Sequence, residues 1–429
     1  MSTWRILLLG AATAGAAEPL PPIDLPTVLR LAGAEPVEVR LAEGRVREAQ
    51  AAEDATLWQM LPTLSPGLGY RDHTGRTQTV TGPVLDVDKR SFTAGATLQL
   101  QLEFGESLYR RLAARQVAAA ADQALASQRL RSVQEAATAY LDLLRAELAL
   151  RLLEQAAQVA RDYHGQVARG VQAGLALKGD ELRAFAQLNR AEVRLRQAEE
   201  GRSKAATRLA EVLRLRIDGT LRPVATEAVL LPCPEKDQPL EQLLQQAQGR
   251  RPELAEQAAL AEAAAQESAA ARYAPLYPTL GATAFAGGLG GSTGSARRDY
   301  GSATDTTVTL SWKLGAGGLF DQSRQEAAAS RERQSRLRAD RTREQVTRQV
   351  VDAQAELKAL LAQLELLRQG VAASEAGLQL ALRRKEFSVG AVLEAVQSQQ
   401  DAVQAKLDYL TTLIEANKAQ FRLRWAIGG

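Results

Sequence analysis

Two segments of the chain alternate strictly between apolar and polar residues. In residues 92–104 (FTAGATLQLQLEF) every even-numbered residue is apolar and every odd-numbered one is small or polar, and residues 307–314 repeat the pattern. Because successive side chains of a strand point to opposite faces, each segment is predicted to be a strand with one apolar and one polar face. The apolar faces comprise Leu98, Leu100, Leu102, Val308, Leu310 and Trp312; the polar faces comprise Thr97, Gln99, Gln101, Glu103, Thr309, Ser311 and Lys313.

A second pattern, with apolar residues three and four positions apart, lies beyond the second of these strands. It runs through Val346, Val350, Ala353, Leu357, Leu360, Leu364, Leu367 and Val371. This spacing predicts a helix that packs side by side with another, as in a coiled coil. A helix of about 60 residues spans roughly 90 Å, whereas a 100-residue globule has a radius of gyration of only about 13 Å. We therefore expect a fold of projecting helices rather than one compact core.

The chain contains the same plan twice. Residues 62–64 (PTL) recur at 278–280, and Phe104 and Gly174 recur as Phe320 and Gly390, always 216 positions later. Each half is predicted to contain a short helix, a β-hairpin, a very long helix and a final helix. The predicted hairpins cover about 62–104 and 277–314, and polar loops are predicted between their strands, at 71–90 and 287–305. The predicted divisions are a first repeat at 18–216, a linker at 217–238 and a second repeat at 239–429.

The N-terminus resembles a targeting segment. Arg5 precedes an apolar run, and Ala14, Gly15 and Ala16 supply the small residues that a signal peptidase prefers. Residues 1–17 are therefore predicted to be a secretory signal peptide. The rest of the sequence has no uninterrupted apolar stretch of 18 residues, so a membrane could be entered only by strands.

The composition argues against catalysis and against nucleic-acid binding. The net charge is +3, with basic and acidic residues interleaved along the helical stretches, which is typical of solvated helix faces. There are two histidines and one cysteine, so a metal site is not expected. The glycine-rich residues 287–294 (GGLGGSTG) lack the ending of a phosphate-binding loop. We predict no enzyme activity, no cofactor and no nucleic-acid partner.

Four strands are too few to close a barrel, and leaving them open would expose two edges and an apolar face. Three copies would supply twelve strands. The apolar residues would then face lipid, and the polar residues would line a lumen.

In their order along the chain, these features resemble those of the TolC-type outer-membrane efflux protein family, and the resemblance covers nearly the whole mature chain. The resemblance rests on the duplicated plan and on residues 251–254 (RPEL), 277–280 (YPTL), 317–324 (GGLFDQSR) and 387–403 (FSVGAVLEAVQSQQDAV). It implies a mainly α fold with a small β part, in which a homotrimer joins an α-helical barrel to a twelve-stranded transmembrane β-barrel. It also implies an outer-membrane exit duct that extends into the periplasm. The duct would be passive and would work with a periplasmic adaptor and an inner-membrane pump in tripartite efflux or type I secretion.

The same resemblance implies that two helical turns form the periplasmic tip and contact the adaptor. The matching positions are Gly174, Leu175, Asp180, Val389 and Gly390. Asp180 is also expected to cap the helix that follows the first turn. The second turn is a few residues shorter than the family pattern.

A different reading is a periplasmic coiled-coil adaptor or scaffold that does not enter a membrane. It would explain the helical periodicity and the signal peptide. It does not explain the two hairpins in which apolar and polar residues alternate.

Overall fold

The structure is a computed structural model, and it describes residues 22–34, 37–216, 220–293, 299–385 and 391–429. The predicted signal peptide lies outside these ranges. The described residues form eight α-helices and four β-strands. In chain order these are α1 (Leu25–Ala34), α2 (Val37–Trp58), β1 (Thr63–Gln78), β2 (Val84–Glu103), α3 (Phe104–Gln172), α4 (Lys178–Val212), α5 (Leu240–Arg250), α6 (Pro252–Tyr273), β3 (Thr279–Thr293), β4 (Asp299–Ser311), α7 (Gln322–Lys385) and α8 (Ala391–Ile427).

The four strands form one antiparallel sheet in the order β1-β2-β3-β4. The two hairpins are far apart in sequence, yet β2 pairs with β3 along fifteen positions, from Glu103 with Thr279 to Lys89 with Thr293. All four strands have one end at the helices, where Thr63, Glu103, Thr279 and Ser311 lie. Within the described part of the chain, β1 and β4 each pair on one side only, so the sheet has two free edges.

The strands are longer than their hydrophobic pattern predicts. Residues 71–90 and 287–305 were predicted to be polar loops, which is wrong for most of them, because β1 and β2 continue to Gln78 and Val84, and β3 and β4 continue to Thr293 and Asp299. Far from the helices neither face of the sheet is consistently apolar, since Val84 shares a face with Asp86 and Val87 shares one with Lys89, so the period-two alternation of the central strands disappears. The backbone hydrogen bonds of the ladder still hold these extensions together.

The long helices run away from the sheet. α3 has 69 residues and α7 has 64, which corresponds to about 100 Å each. The first part of the predicted apolar seam of α7 is packed in the structure: Val346, Val350 and Leu357 are fully or almost fully buried. They form a core with α5 and α8 that also includes Leu243 and Leu423.

A belt surrounds the middle of the helices. Here α1 and the segment after α4 pack on α3, α4 and α8 around the buried Leu143, Leu209 and Leu221. The segment before α5 lies along α8, since the Asn417 side chain accepts a hydrogen bond from the Leu231 N–H and donates one to the Val229 carbonyl, each 2.9 Å long. The belt therefore ties the two repeats together.

A buried arginine joins the belt to the long helices. The Arg251 side chain is 3% exposed and pairs with Glu253 at 3.0 Å. It also donates to the Gln349 side chain of α7 at 2.9 Å and to the Trp425 carbonyl of α8 at 3.1 Å. Ser127 of α3 donates to Glu253 at 2.8 Å. A guanidinium can satisfy several acceptors at once because its donors form a rigid planar fork. Arg251 therefore joins α6, α7 and α8 directly, and α3 through Glu253.

Candidate functional site

The register places the two sequence-defined residue sets on opposite faces of one sheet. Leu100 is opposite Ala282, which is opposite Val308, and Leu102 is opposite Leu280, which is opposite Leu310. Directly paired residues share a face, so the apolar residues of β2 and β4 form one surface. The polar set shares the other face, with Gln101 in line with Thr309, and Glu103 in line with Ser311.

Aromatic residues mark both limits of the apolar face. At the end remote from the helices, Tyr70 is paired with Phe92, and the Phe92 and Tyr300 rings are 6.3 Å apart. At the helical end lie Phe104, the first residue of α3, and Trp312, which directly follows β4. These five side chains are 43–67% exposed. From Phe92 to Phe104 a strand advances about 40 Å, or about 30 Å in height at a tilt of about 40°. This height matches the hydrocarbon thickness of a bilayer, about 30 Å.

The polar face carries a phenyl ring that lies over two glycines. Gly95 and Gly287 are directly paired, and the Phe285 ring lies across both. A Cβ atom built on Gly95 would be 2.8 Å from this ring, and one on Gly287 would be 2.9 Å from it. Side chains at these positions would displace the phenyl ring, so the glycines let it lie flat on the sheet.

A charged pair closes the polar face at the helical end. Lys313 Nζ donates to Glu103 Oε1 at 3.1 Å, which joins the two hairpins 210 residues apart in sequence. Both residues line a cavity of about 330 Å³ at the junction of sheet and helices, together with Glu106, Arg110 and Arg324. Since the predicted lumen residues Glu103 and Lys313 neutralise each other, this level of the polar face has little net charge.

The start of α7 is bound to the start of α3. Asp321 accepts hydrogen bonds from the backbone N–H groups of Arg324 (2.9 Å) and Gly317 (2.8 Å). These two bonds hold the pKa of the Asp321 carboxyl below its usual value. The Arg324 side chain then reaches across to Glu106 at 2.7 Å. Residues 317–324, singled out in the sequence only by resemblance, thus form a turn that fixes α7 beneath the sheet.

A larger cleft of about 580 Å³ continues from this junction along the helices. It shares Glu106, Arg110 and Arg324 with the smaller cavity. Its walls come from α2, α3, α6 and α7, which pack in that order, α2 on α3, α3 on α6 and α6 on α7. A cleft with walls from all four helices indicates that this side of the helical layer is concave. The polar face of the sheet and this concave surface therefore form one continuous wall.

The first tip turn lies between α3 and α4. Gly174 has φ +73°, a left-handed conformation that suits glycine, and Leu175 next to it is 75% exposed. The expectation that Asp180 caps α4 is wrong, because α4 begins at Lys178 without a side-chain cap. Asp180 instead lies in the first turn of α4 and accepts a bond from Arg183 at 3.3 Å. The other predicted tip residues, Val389 and Gly390, lie outside the described residues.

No metal-binding cluster of three or more His, Cys, Asp or Glu side chains occurs in the described ranges. Among the described helices, none combines the length and the apolar character that a membrane span requires.

Sequence reasoning missed two groups of residues at this site. Tyr300 lies in a segment predicted to be a loop, and Tyr70 lies in the predicted strand before the other loop, where the apolar pattern is weak. The cleft residues Arg110 and Arg331 belong to long helices with many arginines, and the sequence does not show which of these arginines line the cleft. The signal that could have found Arg331 is its spacing of seven residues from Arg324.

Comparison with known proteins agrees with this architecture. The chain is 30% identical to protein CyaE of Bordetella pertussis over 278 residues, which cover 63% of this chain and 56% of that protein. The matched part thus spans little more than half of the length of this curated relative.

Solved structures match over nearly the whole chain. The Campylobacter jejuni outer-membrane channel CmeC superposes with a TM-score of 0.80 at 14% identity, covering 100% of this chain and 94% of that one. The Vibrio cholerae outer-membrane protein VceC gives a TM-score of 0.76 at 21% identity, with 94% and 96% covered. At these identities the likeness establishes the fold.

The sequence profile described as "Outer membrane efflux protein" matches residues 28–213 and 243–429, which are the two halves that the duplicated sequence plan predicts. Proteins of this family are efflux proteins rather than enzymes. The chain belongs to the outer membrane efflux protein family.

Proposed function

We propose that three copies of this chain form an outer-membrane duct through which cargo leaves the periplasm. The observation that carries the proposal is the sheet: two free edges, one apolar face about as tall as a bilayer, and one polar face continuous with the concave side of the helices. All neighbouring strands are antiparallel, so β4 of one copy can pair with β1 of the next in the same sense. Three sheets would close a twelve-stranded barrel without an edge.

In this duct, Leu98, Leu100, Leu102, Val308, Leu310 and Trp312 face lipid. The residues Thr97, Gln99, Gln101, Glu103, Thr309, Ser311 and Lys313 line the lumen. Below the membrane, the helices of the three copies enclose a tunnel that crosses the periplasm. Transport is passive diffusion through water, so an inner-membrane pump must supply the energy, either in tripartite efflux or in type I secretion.

The periplasmic tip is the proposed contact with the adaptor protein of such a system. Supporting this, the turn after α3 exposes Leu175 and Leu177, each about three quarters exposed. Exposed apolar side chains at the end of a projecting helical hairpin are typical of an interaction site. The second turn, with Val389 and Gly390, is proposed to complete the same surface.

The first experiment is to measure the mass of the protein extracted from outer membranes, by light scattering with the detergent contribution subtracted. A mass of about three chains of 46.2 kDa, less any cleaved segment, supports the shared barrel. Pores in planar bilayers should then follow. A monomer that is released without detergent would overturn the proposal and favour a periplasmic scaffold.

A further inference from the structure

Three arginines recur every seven residues along one side of α7. Arg324, Arg331 and Arg338 are spaced as residues of one helix face; we call them the arginine stripe. Arg331 and Arg338 are exposed. The helix seam that packs against α5 and α8 begins further along α7, at Val346.

The first two residues of the arginine stripe lie on the concave surface. Arg324 and Arg331 line the large cleft, and so does Ala327 between them. On the far side of α7, Gln354 donates to the Gln238 carbonyl of the belt at 3.0 Å. Arg338 continues the line of Arg324 and Arg331 by two helical turns, about 10 Å further from the sheet.

The charge on this surface is positive. In the described part of the chain, Arg331 and Arg338 have no ion-pair partner, whereas Arg324 is paired with Glu106. The cleft also contains Arg110 and Glu267. Four arginines against two glutamates leave +2 per chain, and the Lys313–Glu103 pair above them adds nothing. Three chains would place about six positive charges along roughly 20 Å of a narrow tunnel, where low-dielectric walls strengthen their field.

We propose that the arginine stripe makes the upper helical tunnel selective for anionic solutes, so that acidic cargo passes more readily than basic cargo. This inference rests on the proposed function, because the concave surface is a lumen only in the assembled duct. The selected chemistry is carboxylate-rich, since guanidinium groups bind carboxylates through paired hydrogen bonds.

The test uses single channels of the full-length protein in planar bilayers, with hexaglutamate or hexalysine added on the side of the strand loops. From that side the probe reaches the stripe without passing the tip. Hexaglutamate should block the current at a concentration at least about tenfold lower than hexalysine. The reason is that electrostatic steering by several charges changes association rate constants by about 10 to 1,000-fold.

The variant Arg331→Glu/Arg338→Glu should abolish or reverse this preference. Its matched control is Arg333→Glu, also exposed on α7 but about 200° around the helix from Arg331, which should leave the block unchanged. Equal block by both peptides in the wild type, or equal effects of the stripe and control variants, would overturn the inference. Absence of any pore, with a monomeric mass, would instead count against the proposed duct.

Discussion

Replacing Leu98 with arginine tests the orientation of the sheet most directly. Leu98 is midway between Phe92 and Phe104, the aromatic limits of the apolar face on this stretch, and its side chain is 42% exposed in the single chain. It therefore lies at the proposed bilayer midplane, about 15 Å from either limit. A guanidinium at this depth loses its hydration without gaining a partner, since the opposite residues are Leu64 and Ala284.

The expected cost follows from this depth. An arginine on the lipid face of a barrel costs about 2–4 kcal/mol at the midplane, which lowers the fraction inserted by roughly 30- to 700-fold per chain at equilibrium. Three chains in one barrel would bear about 6–12 kcal/mol together. This is comparable with the whole stability of an ordinary domain, about 5–15 kcal/mol, so assembly should largely fail.

The assay compares the amount of trimer extracted from outer membranes with the total protein made. The matched control is Gln99→Arg, which adds the same side chain one residue away on the polar face, and it should assemble normally because water fills the lumen. Leu98→Ala separates loss of the leucine from gain of the charge. If Gln99→Arg fails while Leu98→Arg assembles, the lipid and lumen faces are assigned the wrong way round.

Three further variants test the polar face, the belt and the cysteine. Glu103→Lys should make the pore more selective for anions, measured as a shift of its reversal potential. Glu103→Lys combined with Lys313→Glu restores the pair and should have the wild-type reversal potential. An equal shift in both variants would exclude a role of the pair. Arg251→Ala should lower the free energy of unfolding by about 3–5 kcal/mol, measured by urea titration in detergent, because it leaves Glu253 buried without its nearest cation; a loss below about 1 kcal/mol would refute this. Burial, and then a hydrogen bond with Glu235, raise the pKa of the Cys233 thiol, so maleimide at about pH 7.5 should label it slowly in the folded protein and rapidly in urea; fast labelling of the folded protein would contradict its burial.

The sheet illustrates how far the sequence pattern extends. β2 and β4 could be located where one face is apolar and the other polar, because burial against lipid or protein imposes the period of two. Residues 71–90 were misassigned because polar and apolar residues are mixed on both faces there, and a strand exposed on both faces has no characteristic period. Only the pairing of β1 with β2 reveals it.

The charged groups illustrate a different limit. Lys313 and Glu103 could each be placed on the polar face, but their contact could not be predicted, because β2 and β3 become neighbours only through tertiary pairing. Likewise Asp180 was expected to cap α4, yet the backbone begins the helix two residues earlier. Helix ends depend on local backbone geometry that a sequence pattern does not resolve.

The sequence alone determined the duplicated plan, the long helices, the two-faced strands and the family, because each leaves a period or a repeat that can be counted. The tertiary structure decided which distant residues meet: β2 beside β3, Arg324 against Glu106, and Arg251 among four helices. It also decided that Arg324 and Arg331 of the arginine stripe line the concave wall. The physical reason is that periodicity records which side of an element is buried, whereas the partner on that side is selected by packing across the whole chain.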